Sequence, residues 1–180
     1  MTGLFFLCGL ALAKDTYKID KHHSSVVFHT LHQSISYTYG RFNQINGRLV
    51  IDADKIENSK INISIPTESI DTNNFMRDTH LKSKDFLAVQ KYPTIEFNSH
   101  KITQVGDILT VVGQLKLRGV TKEISIEMSK TGEGKDMWGG YRIGYISHFS
   151  IQRSEFGINH MSKSIGDEVF LTISLEGMKQ

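Results

Sequence analysis

The chain holds a single cysteine, Cys8, and only two prolines among its 180 residues. Cys8 lies in an apolar N-terminal stretch. The remainder therefore offers no disulfide, no thiolate metal site and no thiol nucleophile. Low proline and a hydrophobic content of 39% exclude collagen-like and disordered classes. Charge of one sign is also missing: 21 Lys and Arg stand against 19 Asp and Glu, interspersed along the chain. Without a basic stripe, a nucleic-acid partner is excluded. The mild basicity is compatible with transient membrane contact through anionic lipid but does not argue for it. A His-Glu-x-x-His signature, a serine elbow and a phosphate-cradling glycine loop are all lacking. Nothing in composition opposes a homodimer.

What is present begins with Gly3 to Ala13, an uncharged apolar run followed at once by Lys14-Asp15. The run is too short to span a bilayer and suits the core of a secretory signal. Ala11-Leu12-Ala13 has the small-x-small form that a signal peptidase reads, so residues 1–13 are expected to be removed and 14–180 to form the exported domain. A periplasmic or secreted product is the expectation. A lipoprotein anchor is disfavoured because Phe6-Leu7, and not small residues, precede Cys8.

Beyond Lys14 the length suits one domain, and the dominant pattern is strict two-residue alternation. Ile61, Ile63 and Ile65 alternate with Lys60, Asn62 and Ser64, giving a strand with one aliphatic and one wet face. Leu109, Val111, Leu115 and Leu117 repeat the pattern, with Gly113 in an inward slot where another backbone can approach. Ile124, Ile126 and Met128 form a further strand, and Val169, Leu171, Ile173 and Leu175 the last. Others are read at Thr16 to Asp20, Ser25 to Gln33, Arg41 to Ile51, Thr94 to Ile102 and Gly140 to Gln152, about eight or nine in all. Val105-Gly106-Asp107 and Thr131-Gly132-Glu133-Gly134 read as turns.

Asp71 to Gln90 breaks the rhythm and reads as one or two short helices, with N-caps on offer in Asp71-Thr72-Asn73-Asn74. Strands that each bury one face either close into a barrel or stack as a sandwich. The helical insert favours the barrel, since it can cover one mouth. Pattern alone leaves open whether the interior is packed or hollow.

The order of short motifs resembles the YceI-like family from about Tyr17 to Glu176. The resemblance rests on Tyr17-Lys18-Ile19-Asp20, His23-Ser24, Gly40-Arg41-Phe42, Ser69-Ile70-Asp71-Thr72, Arg77-Asp78-Thr79-His80-Leu81, Asp85-Phe86 and Lys91-Tyr92-Pro93. It continues through Leu117-Arg118-Gly119-Val120-Thr121, Arg153-Ser154-Glu155-Phe156-Gly157 and Ile165-Gly166-Asp167-Glu168-Val169. The resemblance implies an exported, all-β, closed antiparallel eight-stranded lipocalin-like barrel with a short helical insert. It further implies an interior that takes an isoprenoid tail of the polyprenyl phosphate or isoprenoid quinone type. Tyr39 stands where the family often has a basic residue.

Candidates for ligand contact are Phe28, His32, Ile35, Phe42, Ile63, Ile65, Phe75, Met76, Arg77, His80, Phe86 and Phe97. Arg77 and His80 share a helical face and could meet a headgroup; alternatively Arg77 and Asp78 pin the insert to the barrel by salt bridges and caps. His22, His23, His29 and His32 invite a metal reading, but strand alternation puts His29 and His32 on different faces. His32 is read as an interior, hydrogen-bonded histidine and His29 as a surface one. No cofactor, metal or catalytic set is expected, only a bound isoprenoid lipid. The competing readings are an enzyme acting on an isoprenoid headgroup through His80 and Arg77, and a fully packed stress-response interaction module.

Overall fold

The computed structural model describes residues 14–180. The segment read as an export signal, with Cys8, lies outside the described residues. Eleven strand segments carry the fold: β1 (Asp15–Ile19), β2 (Ser25–His32), β3 (Ser36–Phe42), β4 (Asn46–Ile51), β5 (Lys60–Pro66), β6 (Ile70–Asp71), β7 (Thr94–Val105), β8 (Ile108–Leu117), β9 (Val120–Lys135), β10 (Tyr141–Gln152) and β11 (Ile165–Lys179). Three strands are interrupted. β1 pairs with β4 and β2 with β3, while β4 pairs with β5 and β3 with β6. Counted as β1/β2, β3/β4, β5/β6 and β7 to β11, eight antiparallel strands follow one another around a ring. β11 closes it by pairing with β2 and with β1. The closed barrel removes the open edges that a sandwich would leave.

Two sequence expectations need correction. Arg41 to Ile51 is not one strand: it breaks after Phe42, where the Asn43 and Gln44 N–H groups turn to the Ser69 carbonyl and hydroxyl. Thr131 to Gly134 is no turn but lies inside β9. Its glycines serve a bulge. Gly132 pairs with Gly144 while Lys130 pairs with Tyr145, leaving Thr131 as the extra residue, and a Cβ on Gly144 would collide with the Thr131 hydroxyl. The reversal comes later, at Asp136 to Gly140, where the Asp136 carboxylate accepts from the Trp138 and Gly140 N–H groups.

The insert contains one helix, α1 (Phe75–Lys82), whose Asn74 cap accepts from the Arg77 N–H at 3.0 Å. Beyond Ser83 the chain winds through turns, with the Phe86 and Ala88 N–H groups both bonded to the Ser83 carbonyl. The barrel core is unevenly packed. At the end remote from α1, Leu49, Ile102, Leu109 and Val111 are at most 1% exposed and fill the interior. Gly113 behaves as alternation implied: a Cβ there would stand 2.6 Å from the Asn98 carbonyl oxygen and from the Phe97 ring.

That remote end is tied by Arg142. Its Nη1 donates to Asp20 and to Glu176 at 2.6 Å each, and its Nε to Asp136 at 2.7 Å. Asp20 also accepts from His23 Nδ1 at 2.8 Å. Burial alone would push the Asp20 carboxyl up. The hydrogen bonds from His23, Arg142 and the His22 backbone outweigh it and hold Asp20 well below the usual carboxylate range. The His23 imidazole is raised by its bond to the Asp20 carboxylate.

Asp20, with its folded pKa depressed, stabilises the barrel above its unfolded value of about 3.9. His23, with its folded pKa raised, stabilises it below an unfolded value of about 6.5 and loses that contribution as pH rises through the folded value. Between roughly pH 4 and 6 both contributions act. The melting temperature of His23→Gln is therefore expected to fall below that of the wild type in that window and to converge with it at alkaline pH. Parallel melts across pH check this, and a constant offset would overturn it.

Candidate functional site

Toward α1 the barrel is hollow. Phe28, Ile63, Phe149, Leu171 and Ile173 border the space with partly exposed side chains, in contrast to the packed remote end. The cavity measures about 870 Å³, toward the upper end of the ~300–1,000 Å³ typical of small-molecule sites. Its wall is aliphatic and aromatic, from Ile61, Ile63 and Ile65 on one side to Leu171, Ile173 and Leu175 on the other. A cavity of this size counts against the fully packed interaction module.

The mouth is built by α1, the segment after it, the β2–β3 turn and the loop between β10 and β11. Two guanidinium groups hold those loops. Arg153, only 5% exposed, donates from Nε to the Gly166 carbonyl, from Nη1 to the Ile158 and His160 carbonyls, and from Nη2 to the Ile165 carbonyl, at 2.8–3.0 Å. Burial pushes its pKa down from the ordinary arginine value, and Asp167 opposes that shift. Arg118, in the tight β8–β9 reversal where both it and Gly119 have positive φ, donates to the Gly157 and Lys84 carbonyls.

Of the twelve residues expected to meet a ligand, Phe28, His32, Phe42, Ile63, Ile65, Met76, Arg77, His80, Phe86 and Phe97 line the cavity or its mouth. Two do not. Ile35 follows Gln33 and Ser34, whose positive φ values turn the chain and leave Ile35 81% exposed. Phe75 opens α1 on the side away from the cavity and is 80% exposed. His32 is no interior histidine: it lies exposed at the rim, without a side-chain hydrogen bond among the described residues. His29 faces outward and stacks on Phe170 at 4.9 Å and on Tyr39 at 4.8 Å. Tyr39 is thus part of an outer aromatic cluster and not of the mouth.

Arg77 and Asp78 hold α1 to Thr72, at the start of the insert, and among the described residues neither forms a salt bridge to the barrel. Both converge on buried Thr72: Arg77 Nε donates to Thr72 Oγ1 at 2.7 Å and Nη2 to the Thr72 carbonyl at 2.8 Å, while Asp78 Oδ1 accepts from the Thr72 N–H and hydroxyl. Arg77 and His80 still border the mouth. The polar lining of the cavity includes Arg77, Arg153, His80, Thr30, Thr72 and Ser147; among the described residues no carboxylate belongs to it, though Asp85 pairs with His80 beside it at 3.5 Å. An electron-rich or anionic group is the polar chemistry such a rim accepts. Sequence reading missed Arg153, Ser147 and His160 as members of this region. The Arg153-Ser154-Glu155-Phe156-Gly157 motif was the available signal, but nothing in it shows that the arginine turns inward.

A closed eight-stranded barrel with an apolar cavity open at one end is a lipocalin-like binding architecture. The YceI-like domain matches residues 17–177, and the chain belongs to that family. It is 40% identical over 179 residues to a UPF0312 protein of Yersinia pestis (strain Pestoides F), covering 98% of this chain and 93% of the relative. The crystal structure of a Campylobacter jejuni YceI protein superposes with a TM-score of 0.74 at 28% identity, over 81% of this chain and 87% of that one. A polyisoprenoid-binding domain from Saccharophagus degradans has the same fold, with a TM-score of 0.73 at 15% identity over 91% and 98% of the two chains.

Proposed function

We propose that this barrel holds a long isoprenoid tail in its cavity and keeps the head of that lipid at the α1 mouth. The observation that carries the reading is the 870 Å³ cavity, apolar through its depth and edged by cationic and hydroxyl groups. Burial of a tail is worth about 25 cal/mol per Å² of apolar surface, less the cost of ordering it, so affinity needs few polar contacts. The fold shared with the Saccharophagus degradans polyisoprenoid-binding domain supports the tail chemistry. The Arg77 and Arg153 guanidinium groups and the His80 imidazole in the lining favour a polyprenyl phosphate or an isoprenoid quinone as the head.

The reading is one of binding, storage or transport, with no bond made or broken. Met76 and Met161 border the mouth and are 75% and 43% exposed. These apolar groups suit passing contact with a bilayer while lipid enters or leaves. Together with the signal-like N-terminus, they support action in the periplasm or outside the cell.

Native mass spectrometry and solvent extraction of gently purified protein are expected to yield an isoprenoid lipid. A fluorescent prenyl analogue is expected to bind the delipidated chain. No copurifying lipid, together with no binding of the analogue, would sink the reading.

A further inference from the structure

Two clusters of metal-ligating side chains occur among the described residues. Asp20, His23 and Glu176 form one, and His80, Asp85 and His160 the other. In the first, Arg142 already stands between the carboxylates at 2.6 Å from each and supplies the positive charge. The second has no such occupant. The neighbouring Arg77 guanidinium is engaged with Thr72, leaving the two imidazoles and the carboxylate facing one another.

The geometry points to His80, Asp85 and His160 as a site for a zinc-type divalent cation at the cavity mouth, with its open coordination position available to an anionic oxygen on the head of the bound lipid. This deepens the lipid-holding reading and rests on it for the identity of the fourth ligand. The ligand atoms lie within 4.8 Å of one another, and His80 Nε2 stands 3.5 Å from Asp85 Oδ2. Bonds of about 2.0–2.2 Å in a tetrahedral arrangement need ligand separations near ~3.4 Å. The His80–Asp85 pair already meets that, and His160 is exposed and free to close the rest. Two imidazoles and one carboxylate form a donor set that divalent transition metals accept, and three protein ligands leave one position open.

Both histidines pack on one side chain: buried Phe86 meets His80 edge-on at 4.9 Å and His160 at 5.3 Å, which keeps the two rings together. Arg153 holds the His160 carbonyl at 2.9 Å, and Arg118 holds that of Lys84, next to Asp85. His80 belongs to both the cluster and the cavity lining, so the ion would stand where tail and head divide. Sequence spacing could not reveal the set, because His160 joins it only through barrel closure.

The test is calorimetric titration of the delipidated full chain with zinc chloride, paired with visible spectra of the cobalt(II) form. One equivalent is expected to bind, with tetrahedral cobalt bands. His80→Ala, Asp85→Asn and His160→Ala are each expected to weaken binding by roughly tenfold or more, with circular dichroism unchanged. His23→Gln, in the other cluster, should leave it intact. Absence of saturable binding, or full binding by His160→Ala and Asp85→Asn, would overturn the site.

Farnesyl phosphate and farnesol are then titrated with and without zinc. Zinc is expected to tighten the phosphate alone, and equal binding in both conditions would overturn the role at the headgroup. Failure of both lipids to bind at all would remove the cavity reading while leaving the metal result standing.

Discussion

Arg153→Met is expected to lower the free energy of unfolding by about 3–5 kcal/mol, the largest stability effect foreseen for a single side chain in this barrel. Methionine retains most of the aliphatic stem, so little of the loss comes from a cavity. What disappears is a buried planar donor that serves the carbonyls of Ile158, His160, Ile165 and Gly166 at once. Hydrogen bonds from a charged donor contribute about 1.5–3 kcal/mol each, and returning the guanidinium to water offsets part of their sum. Arg153→Lys should recover only a fraction, because one ammonium cannot span carbonyls that a five-donor fork reaches together. Urea unfolding measures the loss, and amide exchange should localise it to the loop between β10 and β11. A loss under about 1 kcal/mol would show that water takes over the role of the guanidinium.

The barrel was legible because alternation is a local property. Ile61-Ile63-Ile65 and Leu109-Val111 announce their inward faces within a few residues, and Gly113 announces its close neighbour by what it lacks. Interruptions were less legible. Nothing in Phe42-Asn43-Gln44 shows that its N–H groups turn to Ser69, because the partner lies 25 residues or more away. The glycines at 132 and 134 imitate a turn, and only the register against Gly144 shows them to be strand.

The site divides the same way. Residues whose in-or-out sense follows from strand period, such as Phe28, Phe42 and Phe97, fall on the cavity wall. Those at the ends of elements, Ile35, Phe75 and His32, escape the period because turn geometry and helix rotation set their direction. Hollowness itself was not legible, since an aliphatic residue that fills space and one that borders it look alike in sequence.

Leu171→Trp tests that hollowness. Leu171 lies midway along β11, paired with Phe28 on β2 and Phe149 on β10, and all three border the cavity. An indole projecting from this ring narrows the space between the mouth and the deep end. A packed interior would meet it with overpacking strain of about 1–3 kcal/mol. A hollow one admits the ring and gains contacts, so stability should hold or rise. The effect on binding should depend on chain length. At about 0.8 kcal/mol per buried carbon, one five-carbon isoprene unit kept out of the deep end forfeits roughly 4 kcal/mol, or nearly a thousandfold in affinity. Tails short enough to stop above position 171 should bind nearly as before. Titration of a prenyl alcohol series into wild type and Leu171→Trp therefore distinguishes two cases. A break in the length dependence, with no loss of melting temperature, is the behaviour of a tunnel. A uniform fall in stability with no such break would mean that the aliphatic wall is core after all.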